Sequence, residues 1–578
     1  MKTSSSMLNV SNRQRWTALA LIAWGLLVSW QAGAVGTWIP LVSTIGTNGG
    51  HMLLLSDATV MVQNGHRAGW FRLTPGSTGG YTNGTWTSLS AMEFERQYYS
   101  SDVLPDGRVF VAGGEHPDEP APGPQYTNAE VYNPWNDTWT TTAYAGGVGF
   151  SDSISVVLPN GNVMVAPVYH NNLSNNVTLI YNPTLDSWAT NSPVSFHTQS
   201  EVSWVKLPDD SILTVDKANT SSERFIPSQN QWIVDTNVPV NLWTNGETGA
   251  GLLLPDGRAI YLGALGHTAI YTPSGTTNMG AWVAGPDIPD GMVASDLPAA
   301  MMPNGKILCA AGTTSPNGGS PPPIWFYEYD YTMGNTTNAF APTSSPRNTN
   351  VGSAYDPTAV SRACQLSMLD LPDGTVLLSD MSDELGSTGQ LYVYQPDTPP
   401  LAAGKPIITS VTANQDGSYH LTGNGLNGIS QGAAFGDEAQ QDSNYPIVRF
   451  TDGSGYVYYG RTYNWSSTSV QTGTKIMSTE FRLPTNLPAG ISSLAVVANG
   501  NASDPVAFAG PVFVDFNYTG PTQDGSYNAP FKTLARGTNA VSNGGIIIIK
   551  TAGSSAETMT ISKPMTIISV GGAATIGH

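Results

Sequence analysis

The chain has 578 residues, of which 40% are hydrophobic and only 11% are charged, and its formal net charge is −19. This charge argues against nucleic acid as a partner, because phosphate binding requires basic patches. The scarcity of Lys and Glu, together with 62 Gly and 41 Pro, favours short strands joined by polar turns over long helices. The composition therefore predicts an all-β protein and leaves calcium, cationic molecules and neutral sugars open as ligands.

The N-terminus has the pattern of a secretory signal. Arg13 and Arg15 precede an apolar run from Thr17 to Trp30, and the small residues Ala32-Gly33-Ala34 follow it. We interpret residues 1–34 as a cleaved signal peptide. The alternative is an uncleaved anchor, because the run is only slightly short for a membrane span. No later segment has 18 consecutive apolar residues, so we expect a secreted or cell-surface protein without a further span.

A sevenfold pattern occupies residues 36–400. Each copy has an apolar strand, a tight turn of the form Leu-Pro-Asp-Gly and a second apolar strand, and most copies recur every 47–54 residues. Pro presets the first turn position, and Asp/Asn-Gly tolerates the positive φ that a hairpin turn needs. This period is typical of kelch-type propeller blades. The copies are Leu55-Ser56-Asp57-Ala58, Leu104-Pro105-Asp106-Gly107, Leu158-Pro159-Asn160-Gly161, Leu207-Pro208-Asp209-Asp210, Leu254-Pro255-Asp256-Gly257, Met302-Pro303-Asn304-Gly305 and Leu371-Pro372-Asp373-Gly374.

An aromatic pair follows several of these hairpins. An aromatic residue at the end of one strand is followed, seven to eleven residues later, by a Trp. We interpret these residues as packing between blades. The pairs are Tyr132 with Trp139, Tyr181 with Trp188, Phe225 with Trp232, and Tyr271 with Trp282.

The pattern stops at a Pro-rich linker, residues 397–405. Residues 406–512 contain about seven short alternating strands, which predict an immunoglobulin-like β-sandwich. Residues 513–578 contain short β-branched strands broken by Gly, which predict rungs of a parallel β-helix. Two rungs are fewer than such a stack needs alone, so we expect this segment to dock on another surface or to be the start of a longer solenoid.

The two cysteines lie in neighbouring repeats. Cys309 leaves the sixth hairpin and Cys364 enters the seventh. Export permits a disulfide, and contact between adjacent blades predicts a Cys309–Cys364 bridge. The alternative is two free thiols.

The layout resembles the galactose oxidase and glyoxal oxidase family over residues 36–512. The resemblance includes Arg96-Gln97-Tyr98-Tyr99-Ser100-Ser101 and, in the second unit, Ser443-Asn444-Tyr445-Pro446-Ile447-Val448-Arg449. It implies a seven-bladed kelch propeller followed by an immunoglobulin-like unit. It also implies a copper-radical site built from a Cys–Tyr cross-link, a Tyr-His pair and a second-unit His.

The positions that would bind copper depart from the family pattern. Tyr98 occupies the place of the cross-linked tyrosine, but no Cys precedes Cys309 to be its partner. Cys364 and Gln365 replace the Tyr-His pair, and no His occurs between Arg461 and Met477, where the resemblance places the third group. Copper(II) favours imidazole and phenolate ligands. We therefore interpret Tyr98, Cys364 and Gln365 as vestigial copper-site positions, with no catalytic residues and no copper expected.

The repeat also predicts a ring of side chains around one mouth of the propeller. The ring position lies eight residues before the turn Asp or Asn. Five of its residues, Tyr98, Asp152, Glu201, Asp296 and Gln365, form the candidate ligand site. Clustered carboxylates repel unless they are protonated, hydrated or bridged by a cation, so calcium is the possible metal, and a water-filled channel is the alternative. The seven positions are Gly49, Tyr98, Asp152, Glu201, Thr248, Asp296 and Gln365.

Two further expectations concern the second unit and an acidic run. In the family that the chain resembles, the second unit approaches the same end of the propeller. The acidic run Glu115-His116-Pro117-Asp118-Glu119 is interpreted as a solvated loop.

Two functions remain open. The first is a secreted or surface binding protein that recognises glycan or cell-envelope material. The second is a copper-radical oxidoreductase with a rearranged site.

Overall fold

The structure is a computed structural model that describes residues 35–115, 127–143, 145, 148–149, 152–166, 169–170, 177–193, 199, 201–244, 247–314, 322–355, 363–381, 389–435 and 439–577. The proposed signal segment, residues 1–34, lies outside this range. Within the described ranges, no helix is long and apolar enough to cross a membrane.

Seven four-stranded antiparallel sheets form the blades of a propeller, which confirms the predicted fold class. The innermost strand of the seventh blade contacts that of the first, which closes the ring of blades. The strands, from the innermost outward, are β2 (Gly49–Leu54), β3 (Val60–Asn64), β4 (Trp70–Thr74) and β5 (Thr85–Leu89); β6 (Ser100–Val103), β7 (Val109–Ala112), β8 (Ala129–Asn133) and β9 (Thr138–Thr141); β11 (Ser155–Val157), β12 (Val163–Val165), β14 (Val177–Asn182) and β15 (Ser187–Pro193); β16 (Val205–Lys206), β17 (Ile212–Val215), β18 (Ser222–Ile226) and β19 (Gln231–Val234); β20 (Gly251–Leu253), β21 (Ala259–Leu262), β22 (Thr268–Thr272) and β23 (Ala281–Ala284); β24 (Ala299–Met301), β25 (Ile307–Gly312), β26 (Ile324–Tyr329) and β27 (Phe340–Pro342); and β28 (Leu366–Asp370), β29 (Val376–Asp380), β30 (Tyr392–Gln395) and β1 (Thr37–Pro40).

Smaller elements accompany the blades. They are the strand pair β10 (Val148–Gly149) and β13 (Tyr169–His170), and the 3-10 turns Pro289–Gly291, Tyr331–Met333, Thr337–Ala339, Ala363–Gln365 and Ala402–Gly404.

The seventh blade closes the ring with the start of the chain. Strand β1 pairs with β30, and Trp38 lies opposite Tyr394. The Trp38 ring also packs at 4.9 Å from the rings of Phe326 and Tyr394. The two ends of the propeller segment are therefore held in one sheet.

The predicted tight turns join the first and second strands of every blade. At the fourth turn position the backbone is left-handed in all seven copies, which is why five of them have Gly there. The two exceptions, Ala58 at φ 62° and Asp210 at φ 66°, keep the same turn with a side chain. The five glycines are Gly107, Gly161, Gly257, Gly305 and Gly374.

The aromatic pairs join the blades, as predicted. Within a blade the Tyr132 and Trp139 rings lie 5.1 Å apart, and the indole N–H of Trp139 donates to the Ser90 carbonyl of the preceding blade at 3.0 Å. Trp188 repeats this arrangement, with its indole donating to the Ala143 carbonyl at 2.8 Å. Each such Trp fills the space between two sheets while its polar atom is satisfied.

The predicted Cys309–Cys364 bridge is wrong, because neither cysteine is part of a disulfide in the structure. Cys309 lies in β25, buried within the sixth blade, and its Sγ is 3.7 Å from the Tyr327 carbonyl. Cys364 lies in the 3-10 turn before β28, at the opposite end of the innermost strand from the tight turn. Although the two cysteines belong to adjacent blades, they lie at different heights along the propeller axis.

A β-sandwich follows the propeller. Seven strands form one continuous path, and an eighth, β40, pairs with β38 beside it. The path folds into two sheets that share β36, and both sheets face a common apolar core that includes Phe450, Phe481 and Leu494. The strands are β31 (Ile407–Ala413), β32 (Tyr419–Asn424), β35 (Ile447–Thr451), β36 (Val457–Tyr463), β37 (Ile476–Arg482), β38 (Ile491–Ala498), β39 (Asn501–Ala502) and β40 (Val506–Ala509).

A hairpin of the second unit enters the propeller channel. Its strands β33 (Gly432–Phe435) and β34 (Ala439–Asp442) extend the sixth blade inward, with β33 pairing with the innermost strand β24. Gln440 Nε2 donates to the carbonyls of Trp204 and Gly251. Gln441 Nε2 donates to Met52 O and Ser367 Oγ at 3.2 and 2.6 Å. These two side chains therefore connect the hairpin to four further blades.

The last segment is a short parallel stack. Its strands lie side by side in the order β41, β42, β44, with a second parallel pair formed by β43 and β45. The elements are β41 (Val512–Val514), the helix α1 (Leu534–Ala540), β42 (Gly545–Ile549), β43 (Gly553–Ser555), β44 (Met565–Ser569) and β45 (Ala574–Ile576).

The two cysteines outside any disulfide give a prediction about reactivity. The unreduced, denatured protein should react with two equivalents of a thiol reagent. In the native protein only Cys364 should react rapidly, because Cys309 is 1% exposed and burial raises the pKa of its thiol to about 12. Timed labelling of the Cys309→Ser and Cys364→Ser variants checks the assignment. Absence of reactive thiol after denaturation would restore the disulfide.

Candidate functional site

The ring positions lie at the ends of the innermost strands opposite the tight turns. Each ring residue lies six positions before the first residue of its turn, which corresponds to about 20 Å of extended strand. Backbone hydrogen bonds link these positions from blade to blade: Asp152 N–H donates to Tyr98 O, Glu201 N–H to Asp152 O, and Thr248 N–H to Glu201 O, at 3.0 to 3.1 Å. The structure thus brings Tyr98, Asp152, Glu201 and Thr248 together in one arc at the mouth.

The arc has an unusual backbone. Tyr98, Asp152, Glu201 and Asp296 all adopt left-handed φ values, between 47° and 58°. Residues with side chains seldom take this conformation, and it costs about 1 kcal/mol or more at each position. The same strained backbone occurs at four equivalent positions of the repeat. The propeller fold therefore fixes the direction in which these side chains point.

Three carboxylates meet at the mouth. Oxygen atoms of Glu201, Glu247 and Asp296 all lie within 4.8 Å of one another, and this is the one cluster with metal-ligand spacing among the described residues. Glu247 was not among the predicted ring residues. It immediately precedes the ring residue Thr248 in a tight bridge with Thr244, and its Oε2 accepts a hydrogen bond from Ser295 Oγ at 2.8 Å. The sequence did contain a signal for Glu247, because this acidic residue directly precedes the ring position Thr248.

Asp152 extends the acidic cluster. Its carboxyl group hydrogen-bonds with that of Glu201, and a bond between two carboxyl groups requires a proton on one of them. Burial, with a further contribution from the charge of Glu115, raises the pKa of Asp152 to about 7, although Lys217 opposes the shift. The mouth therefore changes its charge near neutral pH.

Glu115 corrects one interpretation of the sequence. The acidic run that begins at this residue was expected to be a solvated loop. Glu115 instead forms a backbone bridge with Gln97, just before Tyr98, and partial burial raises the pKa of its carboxyl group. Residues 116–119 lie outside the described residues, so the interpretation is corrected for Glu115 alone.

A small pocket adjoins the arc on the side of the seventh blade. Tyr98, Cys364 and Gln365 line it, and the Tyr98 Oη atom lies 3.4 Å from Cys364 Sγ. The predicted vestigial positions are therefore close in space. His51 also lines the pocket; its Nε2 hydrogen-bonds with Ser101 Oγ at 2.6 Å, and burial lowers the pKa of its imidazole to about 4. The His51 imidazole is thus neutral at physiological pH.

The second unit does not approach the mouth as a whole, contrary to expectation. The segment from Arg461 to Met477, where the resemblance placed a copper-binding His, includes contacts to the tight-turn face. Trp465 N–H donates to Pro105 O, and Gln471 Nε2 donates to Leu254 O. The element that enters the channel is the hairpin β33–β34.

No family model matches the chain, and no curated protein matches it. Among solved structures, it is similar to a fungal alcohol oxidase of the AA5 family in complex with copper, at 11% identity and a TM-score of 0.47, over 82% of this chain and 99% of that one. It is also similar to the structure of YjhT, at 14% identity and a TM-score of 0.35, over 50% of this chain and 96% of that one. These similarities assign no activity to the chain.

The raised pKa of Asp152 gives a pH-dependent prediction. The folded state binds this proton more tightly than the unfolded state, whose Asp has the ordinary value of 3.8. The resulting stabilisation is complete at low pH and is lost as the pH rises from about 4 through about 7. Asp152→Asn should therefore leave the melting temperature unchanged near pH 4 and raise it at pH 8, by about 2 °C for each kcal/mol gained.

The matched control is Asp290→Asn, because Asp290 also has a left-handed φ, 59°, but is exposed. Its melting temperature should follow that of the wild type at both pH values. An Asp152→Asn variant that is no more stable than the wild type at pH 8 would contradict the assignment.

Proposed function

We propose that this protein is a secreted or cell-surface binding protein that uses the acidic mouth of its propeller to hold a divalent cation, with calcium as the best candidate. The observation that carries the proposal is the approach of Glu201, Glu247 and Asp296 within 4.8 Å. These residues come from three successive blades, so the fold brings together three like charges. They repel each other unless a cation bridges them.

The donor set favours calcium over softer metals. Calcium takes six to eight oxygen ligands at 2.3–2.6 Å in flexible geometries, and carboxylates are its preferred protein ligands. Three carboxylates supply part of that number and leave positions for water or for a ligand. The Asp152 carboxyl group, which shares a hydrogen bond with Glu201, provides a further oxygen close by.

The free positions on such a cation suit a polyhydroxylated ligand. The neighbouring pocket offers a phenol from Tyr98 and amides from Gln97 and Gln365, which can hydrogen-bond with sugar hydroxyls. Glycan or cell-envelope material is therefore the ligand class that we propose, bound through the cation. No catalytic step is part of this proposal.

Calcium should raise the melting temperature of the protein, because a ligand that binds only the folded state stabilises it by about 2.7 kcal/mol at 100 times its dissociation constant. The variant Glu201→Gln/Glu247→Gln/Asp296→Asn should lose this response. Thermal shift assays and titration calorimetry with calcium chloride measure both effects, and glycan binding should require calcium and disappear with a chelator.

A second triple variant, Asp287→Asn/Asp290→Asn/Asp504→Asn, removes the same number of charges from exposed positions and should keep the calcium response. The proposal fails if the wild type does not bind calcium, or if both triple variants lose the response equally.

The alternative function is a copper-radical oxidoreductase, and the observation that favours it is the contact between Tyr98 and Cys364. The donors assembled there are a phenol, a thiol and the Gln365 amide. Among the described side chains His51 is the imidazole at this pocket, and it already pairs with Ser101. This set does not fit a site that needs two histidines and two tyrosines. We therefore favour binding over catalysis.

The two functions predict different results with copper. Protein incubated with copper(II) and dialysed should retain well under one ion per chain. It should also form no peroxide from galactose, glyoxal or primary alcohols, and no thioether in its peptide masses. Elemental analysis, a peroxidase-coupled assay and mass spectrometry provide the three measurements. Peroxide production that Tyr98→Phe abolishes would establish the oxidoreductase instead.

A further inference from the structure

A cleft lies on the tight-turn face of the propeller, at the opposite end from the carboxylate mouth. Its volume of about 290 Å³ is at the small end of the range for ligand pockets. One wall consists of the first-blade turn at Asp57 and of residues 74–77, where β4 ends. The other wall consists of residues 456–459 at the start of β36, with Pro484 and Asn486 beside them. The cleft therefore separates the first blade from the β-sandwich.

The two walls of the cleft are fixed relative to each other. Val457 N–H donates to Ser77 O at 2.8 Å, and the Tyr459 hydroxyl donates to Gly79 O at 3.3 Å. Gly79 has a left-handed φ of 87°, and a Cβ there would lie 3.0 Å from Val457 Cγ1. Glycine is favoured at this close approach for both reasons. Because the fold holds the walls in place, a ligand would bind here with little ordering cost.

The cleft has one charged side chain among its described lining residues, and this charge is paired. The Asp57 carboxylate forms an ion pair with Arg461 and accepts a hydrogen bond from the Thr59 hydroxyl at 2.6 Å. Burial alone would raise the pKa of Asp57, but Arg461 and Thr59 bring it below its ordinary value. A cationic ligand would therefore find no free carboxylate, and the net charge of −19 opposes an anionic one. An uncharged ligand fits best.

The other polar groups of the cleft are neutral and available for hydrogen bonds. Four of its residues have side chains without a hydrogen-bond partner among the described residues: Thr74, Ser77, Tyr456 and Asn486. Their hydroxyl and amide groups can both donate and accept. Tyr456 is also 50% exposed, so its ring is available for stacking. An exposed aromatic ring beside neutral donors and acceptors matches a sugar, which has an apolar C–H face and a rim of hydroxyls.

We propose that this cleft binds a neutral oligosaccharide and that Tyr456 is its stacking platform. The site needs no metal, so its occupancy does not depend on the cation site proposed at the mouth. An extended peptide fits less well. Pairing of its backbone with the start of β36 would require the Val457 N–H, which already donates to Ser77.

Titration calorimetry of the full chain in EDTA tests the proposal with cellohexaose, maltohexaose, xylohexaose, mannohexaose and chitohexaose. The glycan binding proposed for the mouth requires calcium, so EDTA removes it and leaves the cleft. We expect at least one probe to bind, with a Kd that changes less than about twofold between about 50 and 500 mM salt, because no ion pair forms. Tyr456→Ala should raise this Kd at least about tenfold, and Tyr456→Phe, which keeps the ring, should restore most of the affinity.

The control is Tyr527→Ala, which removes a 39% exposed tyrosine outside the cleft and should leave the Kd unchanged. The melting temperature of each variant shows that it is folded. The proposal is overturned if none of the five probes binds in EDTA, if only an anionic sugar such as hexagalacturonate binds, or if Tyr456→Ala and Tyr527→Ala have the same effect. Failure of calcium to bind at the mouth would instead contradict the proposed function and leave this site unaffected.

Discussion

The inner edges of the innermost strands face the propeller axis, and their backbone groups need partners in a place where bulk water is scarce. The hairpin β33–β34 supplies many of them. Its strand pairs with β24, and the amides of Gln440 and Gln441 reach the carbonyls of Trp204, Gly251 and Met52. A buried carbonyl without a partner costs about 1–3 kcal/mol. The second unit is therefore part of the propeller's interior and not an appendage.

This arrangement separates the two ends of the channel. The sandwich occupies the tight-turn face, where Gln471 and Trp465 contact the turns, and the hairpin extends from there into the channel. The opposite end remains for the carboxylates. Because backbone hydrogen bonds join Tyr98, Asp152, Glu201 and Thr248 across the seams, a change in the angle of one blade would be transmitted to its neighbours. The second to fifth blades therefore position their mouth residues together.

The sequence was informative where a residue type has one local use. Leu-Pro-Asp-Gly predicts a turn because Pro and Gly restrict the backbone in specific ways, and all seven turns form. The Tyr and Trp pairs followed from the same repeat, and so did the ring positions. Glu247 was missed because it lies one residue before the repeat position. Counting residues along the repeat does not show where a side chain at such a position points. Glu115 was misjudged because a Pro-rich context predicts exposure only on average.

The errors at the cysteines and in the second unit have a different cause. A repeat specifies the order of blades around the axis, but not which depth a residue occupies on a strand of another blade, so Cys309 and Cys364 could not be paired from sequence. The hairpin between Gly432 and Asp442 has ordinary strand composition, and its place in the channel depends on contacts with residues 74 to 389 positions earlier in the chain. Such contacts leave no local pattern.

The closure of the ring by β1 has a consequence for how the chain folds. Pro40 pairs with Tyr392, so the seventh blade cannot be completed until nearly the entire propeller segment is available. Contacts of such sequence separation are slow to form, because loop closure must precede their gain. Until then Trp38 lacks its place between Phe326 and Tyr394. Six blades could form in order along the chain, but β1 remains unpaired until β30 is available.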